Sequence, residues 1–169
     1  MNIQIKLLIE GFGDLFNDGL LNTDDDYTTI SNELFYHPES KQELKTLLKK
    51  LLKERGKNAD LNDIDVSNIT DMKELFKGLD PHNIDIRYWD VSNVESMREM
   101  FLGCINFTCD LSDWDVSNVE NMERMFFSCT KFTGKGLENW KPIKCKDMNC
   151  MFWSCKNFDS DLSGWDVSN

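Results

Sequence analysis

Residues 111–129 read Leu-Ser-Asp-Trp-Asp-Val-Ser-Asn-Val-Glu-Asn-Met-Glu-Arg-Met-Phe-Phe-Ser-Cys, and most of this phrase recurs along the chain. Asp-Val-Ser-Asn opens at Asp65, Asp90, Asp115 and Asp166, with the first three copies 25 residues apart. Alignment on tryptophan gives Trp89, Trp114, Trp140 and Trp165, with steps of 25, 26 and 25, so one residue is inserted near Gly134 to Gly136. Other apolar positions keep the beat: Met72, Met97, Met122 and Met148; Phe76, Phe101, Phe126 and Phe152; Cys104, Cys129 and Cys155; Phe107, Phe132 and Phe158. Self-similarity at one fixed period means an array of like units, each burying its apolar side against the next.

Within one unit, Trp114 and Val116 alternate as in a short strand, and Ser117-x-x-Glu120 has the form of a helix-capping box, repeated at Ser92 and Glu95. Val119, Met122, Met125, Phe126 and Cys129 would then line one face of a short helix. The expected architecture is α/β: a leucine-rich-repeat-like solenoid of about four 25-residue strand-turn-helix repeats over residues 61–169. The copy at 141–147 is degenerate, and Pro142 in the Val position predicts a local irregularity there.

Upstream, Ser40-Lys-Gln-Glu43 is a further capping box, followed by a Leu44, Leu47, Leu48, Leu51, Leu52 stripe that ends at Gly56. The spacing predicts an amphipathic N-terminal helical cap over 39–60, covering the open side of the first repeat. Residues 1–38 form a flanking segment in which Ile5, Leu8, Ile9, Phe12 and Phe16 suit a helix while Ile3, Ile5 and Leu7 suit a strand. Asn22 to Asp26 reads as an acidic loop.

With 30 acidic and 19 basic residues, the net charge of −11 argues against direct nucleic-acid or anionic-membrane binding and favours a basic partner. The first residues lack the pattern of a secretion signal and no segment has the apolar run of a membrane helix, so the expected location is cytoplasmic. Cys104, Cys129 and Cys155, at one repeat position in an apolar pattern, are expected to be reduced and buried. No Cys-x-x-Cys motif is present and the histidines, His37 and His82, are distant in sequence from Cys145, Cys150 and Cys155, so no metal site is expected. No cofactor loop or catalytic constellation is legible, and the chain is not expected to be an enzyme.

The phrase at 111–129 resembles the BspA-like leucine-rich repeat family, a repeat type also found in mycoplasma surface lipoproteins, and the resemblance spans residues 61–169. It implies parallel strands backed by helical turns, no catalytic machinery, and roles in adhesion or protein binding. The absence of a visible export signal or lipid-attachment Cys near the start departs from the surface members and fits intracellular or phage-encoded ones better.

Three side-chain rows carry alternative readings. The Asp row, Asp65, Asp90, Asp115 and Asp166 with Lys141 in the remaining slot, could bind a cation or a basic partner, or could simply close Asx turns. The Trp row could stack on glycans or fill the core, and the Met pairs could form an adaptable groove or fill the core. The leading functional expectation is a non-catalytic protein-interaction module using Tyr88, Asp90, Ser112, Asp113, Asp115, Ser163 and Asp166 on the strand face. The alternatives are an acidic inhibitor, of bacterial or phage origin, that mimics nucleic acid to block a nucleic-acid enzyme, and surface adhesion or glycan binding. The fourth motif copy stops at Asn169, which also makes the uncapped C-terminal end a place for partner contact.

Overall fold

The computed structural model describes residues 36–167. The chain divides into two units, Met1–Tyr36 and His37–Asn169, and the account that follows concerns the second. The expectations for residues 1–35 lie outside the described residues.

The predicted amphipathic helix is present as α1, Lys41–Glu54. Ser40 caps it from an extended conformation, its hydroxyl accepting the Glu43 N–H, while the Glu43 carboxylate reaches back to the Glu39 N–H at 2.9 Å. Leu44, Leu48, Leu51 and Leu52 are buried, and Gly56 at φ 85° follows the last turn. Leu47, the remaining member of the stripe, is half-buried. α1 lies against the first copy of the repeat: Lys41 pairs with Asp71, the Lys45 ammonium donates to the Glu74 carbonyl, and Arg55 grips Asp63 at 2.7 Å.

The rest of the expected architecture is corrected. The repeats are not strand-turn-helix units, and the chain is not an α/β solenoid of that kind. Among the described residues there is no extended strand and no sheet; isolated bridges stand in their place, among them parallel ones at Asp60–Asp85, Asp71–Ser96, Ser96–Asn121 and Asn121–Asp147. Besides α1, the only helical element among the described residues is a three-residue 3-10 turn, Leu137–Asn139. Each repeat is a coil built from consecutive tight turns.

The apolar spacing that suggested a helix has a different cause. Trp114, Val119, Met125, Cys129 and Phe132 each donate their N–H to a carbonyl three residues back, those of Leu111, Val116, Met122, Phe126 and Cys129. A row of three-residue turns therefore repeats the same apolar interval as a helix face. Helix propagation is blocked by left-handed residues, at φ 54° for Glu99 and at φ 53° and 63° for Arg124 and Ser128. The Ser-x-x-Glu signal is diverted as well: the Ser117 N–H bonds the Asp115 carboxylate, and the Glu120 N–H bonds the Glu95 carbonyl of the preceding copy at 2.8 Å.

The backbone groups freed from a helix pair between copies. The N–H groups of Met97, Glu99, Phe101 and Gly103 donate to the carbonyls of Asn121, Glu123, Met125 and Phe127 at 2.8–2.9 Å. Those of Met122, Arg124, Phe126 and Ser128 donate to Asp147, Asn149, Met151 and Trp153 in the same way, and Met72, Glu74 and Phe76 to Ser96, Arg98 and Met100. Alternate residues thus point their N–H groups toward the next copy, and the intervening carbonyls point back. Such inter-copy pairing stands in for a sheet ladder in satisfying buried backbone groups.

The core is a set of side-chain columns running from copy to copy. Phe76, Phe101, Phe126 and Phe152 stack at 5.1, 5.5 and 5.8 Å between ring centroids, with planes within 9° of parallel. Trp114, Trp140 and Trp165 stack at 6.3 and 6.1 Å. Each indole N–H reaches a carbonyl of the preceding copy: Trp89 to Leu61, Trp114 to Ile86, Trp140 to Leu111 and Trp165 to Leu137. The thiols do likewise, Cys129 donating to the Phe101 carbonyl at 3.1 Å and Cys155 to that of Phe126 at 2.9 Å. Burying a Phe side chain contributes roughly 1.5–3 kcal/mol and a stacked pair about 0.5–1.5 kcal/mol more, so the columns supply much of the cohesion between copies.

The degenerate copy is less disturbed than its sequence predicted. Pro142 is buried in the Val position and its carbonyl accepts the Cys145 N–H, just as the Val116 carbonyl accepts that of Val119. Proline costs nothing here because the turn asks the residue only for its carbonyl. The one-residue insertion is absorbed at Gly136, where φ is 93° and an added Cβ would come within 2.3 Å of the Ser112 nitrogen.

Candidate functional site

Three columns of aspartate flank the tryptophans. Counting from each Trp, an Asp stands four residues before it at Asp85, Asp110 and Asp161, one before it at Asp113, and one after it at Asp90, Asp115 and Asp166. The first copy, with Ile64 in the Trp position, contributes Asp60, Asp63 and Asp65 at the matching places.

The two outer columns are built by Asx turns. The carboxylates of Asp65, Asp90 and Asp115 accept the N–H groups of Ser67, Ser92 and Ser117 at 2.9–3.1 Å, and the Ser67 and Ser92 hydroxyls donate to the same oxygens. The N–H groups of Ser112 and Ser163 are held in the same manner by Asp110 and Asp161. These bonds hold Asp115 below the usual carboxylate range, chiefly through the Ser117 side chain and N–H. Asparagines brace the same face, Asn93 donating to the Ser67 carbonyl and Asn118 to that of Ser92.

Cations are distributed unevenly over this surface. Asp63 is paired with Arg55, Asp85 with Arg87 and Asp110 with Lys135, each at 2.7–2.8 Å, and Asp65 meets His37 at 3.3 Å. Burial alone would push the Asp110 carboxyl up, but Lys135 and the Ser112 hydroxyl and N–H outweigh it and hold it down to about 2. Asp90, Asp113 and Asp115 are exposed and make no ion pair among the described residues. Asp90 and Asp115 each use Oδ1 in the turn.

Of the residues singled out from the sequence, the structure thus groups Asp90, Asp113 and Asp115 with Tyr88 in two adjoining copies. Tyr88 is half-buried, its N–H held by the Asn62 side chain and its ring 5.6 Å from the Arg87 guanidinium carbon. Ser112 is turned toward Asp110, while Ser163 and Asp166 lie exposed one or two copies further on. The surface is one of turns, and the expected strand face does not exist. Trp89, Trp114 and Trp140 are at most 3 % exposed, which removes them as a stacking platform. The paired aspartates Asp85 and Asp110 were not picked out from the sequence, although alignment on Trp places both four residues upstream of it.

Among the described residues no group of three or more His, Cys, Asp or Glu side chains is placed to share a metal ion, so the Asp row does not converge on a cation. All six cysteines are free thiols. No helix among the described residues is long and apolar enough to cross a membrane.

No curated protein and no solved structure matches the chain. A family profile described as "Mycoplasma protein of unknown function, DUF285" matches residues 44–165, from the buried stripe of α1 to the last tryptophan. That span takes in the coil phrase, the aspartates from Asp60 to Asp161 and most of α1, and the chain accordingly belongs to this Mycoplasma-associated DUF285 family.

Proposed function

We propose that the protein is a non-catalytic interaction module that captures a basic partner on the face carrying Asp90, Asp113 and Asp115. The observation that supports this most directly is the uneven pairing: Asp63, Asp85 and Asp110 on the same surface have Arg or Lys partners, whereas these three are exposed and make no ion pair among the described residues. Asp90 and Asp115 are fixed in advance by Asx turns and all three aspartates adjoin buried tryptophans, so a partner would pay little ordering entropy on the protein's side. The resemblance of the phrase at 111–129 to BspA-like repeats, with their adhesion and binding roles, points the same way. A net charge of −11 adds long-range attraction for a cationic surface.

An arginine-rich peptide titrated into the labelled protein tests this reading. Amide shifts should centre on residues 88–93 and 113–117, and binding should weaken as salt rises and the screening length falls to about 8 Å at 0.15 M. Asp113 makes no contact that folding needs, so Asp113→Lys should lower affinity several-fold at low salt with the melting point unchanged. A shift map centred instead on Asp63, Asp85 and Asp110, or an Asp113→Lys variant that binds as before, would reject the proposed face.

A further inference from the structure

We infer that Lys141, Ile143 and Lys144 complete the proposed face and select its partner: a segment of another protein whose basic residues are accompanied, about three residues away, by an apolar side chain and a carboxylate. This rests on the reading of Asp90, Asp113 and Asp115 as a site for a basic partner, and names what else that partner must carry.

The turn at 141–145 is in register with its neighbours. Trp140 stacks on Trp114, and the Lys146 N–H donates to the Glu120 carbonyl at 2.8 Å, as the Glu120 N–H donates to that of Glu95. Lys141 therefore stands in the column of Asp90 and Asp115, Ile143 in that of Ser92 and Ser117, and Lys144 in that of Asn93 and Asn118. In the two preceding copies these positions hold the turn together: the aspartate accepts the serine N–H, and the asparagine donates to a carbonyl of the copy before. At 141–145 the backbone closes the turn by itself, with the Cys145 N–H on the Pro142 carbonyl and the Ile143 N–H on that of Lys141. The fold does not call for a lysine, an isoleucine and a lysine at these three places.

What the three side chains do is change the surface. Ile143 is 51 % exposed where the neighbouring copies carry a serine. Lys141 is exposed and makes no ion pair among the described residues, and the Lys144 ammonium donates to the neutral Asn118 side chain at 2.6 Å. Along three adjoining turns the face runs acidic, acidic, basic, with an isoleucine beside the last charge. Hydrogen-bonded neighbouring backbones lie about 5 Å apart, so Asp90 and Lys141 are separated by about 10 Å, the reach of about three extended residues. A partner that is basic throughout meets like charge at Lys141, whereas one with a carboxylate there is matched along the whole row. A second copy of this chain fits poorly. Each copy carries −11, and a two-fold pairing that sets Lys141 on Asp90 also sets Asp115 on its own equivalent.

Blocked peptides Arg-Ser-Arg-Leu-Glu and Arg-Ser-Arg-Leu-Gln, each also made in reverse order, test this on the full chain by amide-shift titration. Long-range attraction to a protein of charge −11 favours the more cationic glutamine peptides. For one of the two orders the opposite should hold, the glutamate peptide binding at least about threefold more tightly, with shifts at 143–146 as well as 113–117. Lys141→Asp, which installs the residue of the neighbouring copies, should reverse that preference with the melting point unchanged, and Ile143→Ser should weaken both peptides of that order. Glutamine peptides that bind at 113–117, with glutamate peptides no better in either order, would overturn the inference and leave the basic-partner reading standing. A preference for glutamate that survives Lys141→Asp, or an Ile143→Ser variant that binds as before, would overturn it too. Absence of shifts at 88–93 and 113–117 with every peptide would remove both readings. Shifts at 143–146 that change on dilution of the protein alone would assign the face to self-association and overturn the inference.

Discussion

Cys104, Cys129 and Cys155 occupy one position in three successive copies but not one environment. Cys104 and Cys129 are sealed, at 1 % and 0 % exposure, whereas Cys155 in the last copy is half-buried. Burial pushes the Cys104 thiol up to about 12 and Cys155 to about 11, and raises Cys129 as well. The sequence treats the three alike; the structure predicts a graded response. A thiol reagent at pH 8 should modify Cys150 and Cys155 in the folded protein and leave Cys104 and Cys129 untouched until it unfolds, as mass spectrometry of the labelled peptides would show. Rapid native labelling of Cys129 would contradict the packing described. Cys129→Ser should lower stability by about 1–3 kcal/mol, since the hydroxyl enters an apolar column. Because the folded state holds these thiol protons more tightly than the value of 9.0 for an open thiol, stability should be unaffected below that pH and fall as pH rises toward 11 and 12.

Carboxylates held down in the folded state govern the acid limb, Asp110 among them. Asp110 is held down to about 2 against an ordinary 3.8, so its contribution is complete above pH 3.8 and disappears as pH falls toward 2. Lys135→Met should shrink that loss, and urea titrations at pH 5 and pH 2.5 should show a smaller difference for the variant than for the parent. An identical pH difference in both proteins would mean that Lys135 has no hold on Asp110.

Among the elements, α1 was legible because its signals are local and agree with each other. The cap, the 3.6-residue stripe and the terminal glycine lie within seventeen residues, 40–56, and none needs a distant partner. Its worth to the protein comes from the coil beneath it. Leu48→Ala, at a fully buried site, should cost about 2–5 kcal/mol, and Ser40→Ala about 1 kcal/mol, both read from denaturant midpoints. If Leu48→Ala melts like the parent, α1 is not packed on the first copy. The repeat units were misread for the converse reason. A three-residue apolar interval fits a helix face and a chain of turns equally, and the capping signal at Ser117 and Glu120 is answered by Asp115 and by a carbonyl of another copy. Propensity has no access to that second partner.

Charge is segregated across the whole molecule. Residues 41–57 carry seven basic and two acidic side chains, a net of +5, whereas residues 58–169 carry eleven basic and twenty acidic ones, a net of −9. The basic helix is thus laid on an acidic stack, joined to it by Lys41–Asp71, Arg55–Asp63 and Lys57–Asp80. These pairs are partly or fully exposed and each contributes little, so the leucines remain the main attachment. A fragment of residues 59–169 should lose both the apolar side of α1, Leu44, Leu48 and Leu51, and this charge compensation, and should aggregate or melt far below the full chain in light scattering and calorimetry. A soluble fragment with an unchanged melting point would show that the first copy needs no cover.

What the sequence determined by itself is the period, the register of the Trp, Met, Phe and Cys columns, the membership of the core and the capped helix before it. All of these follow from which residues are apolar and how far apart they stand. The turn form of the coil, the one-way ladder of N–H groups and the division of the aspartates into paired and unpaired were decided only by tertiary structure. The residues that settle them are partners about 25 positions away: Asn121 for Met97, Lys135 for Asp110, Phe126 for Phe101. A backbone amide that can bond either its own helix or the next copy takes the second course when stacking the copies also buries the phenylalanines and tryptophans, and that gain exists only once the copies are together.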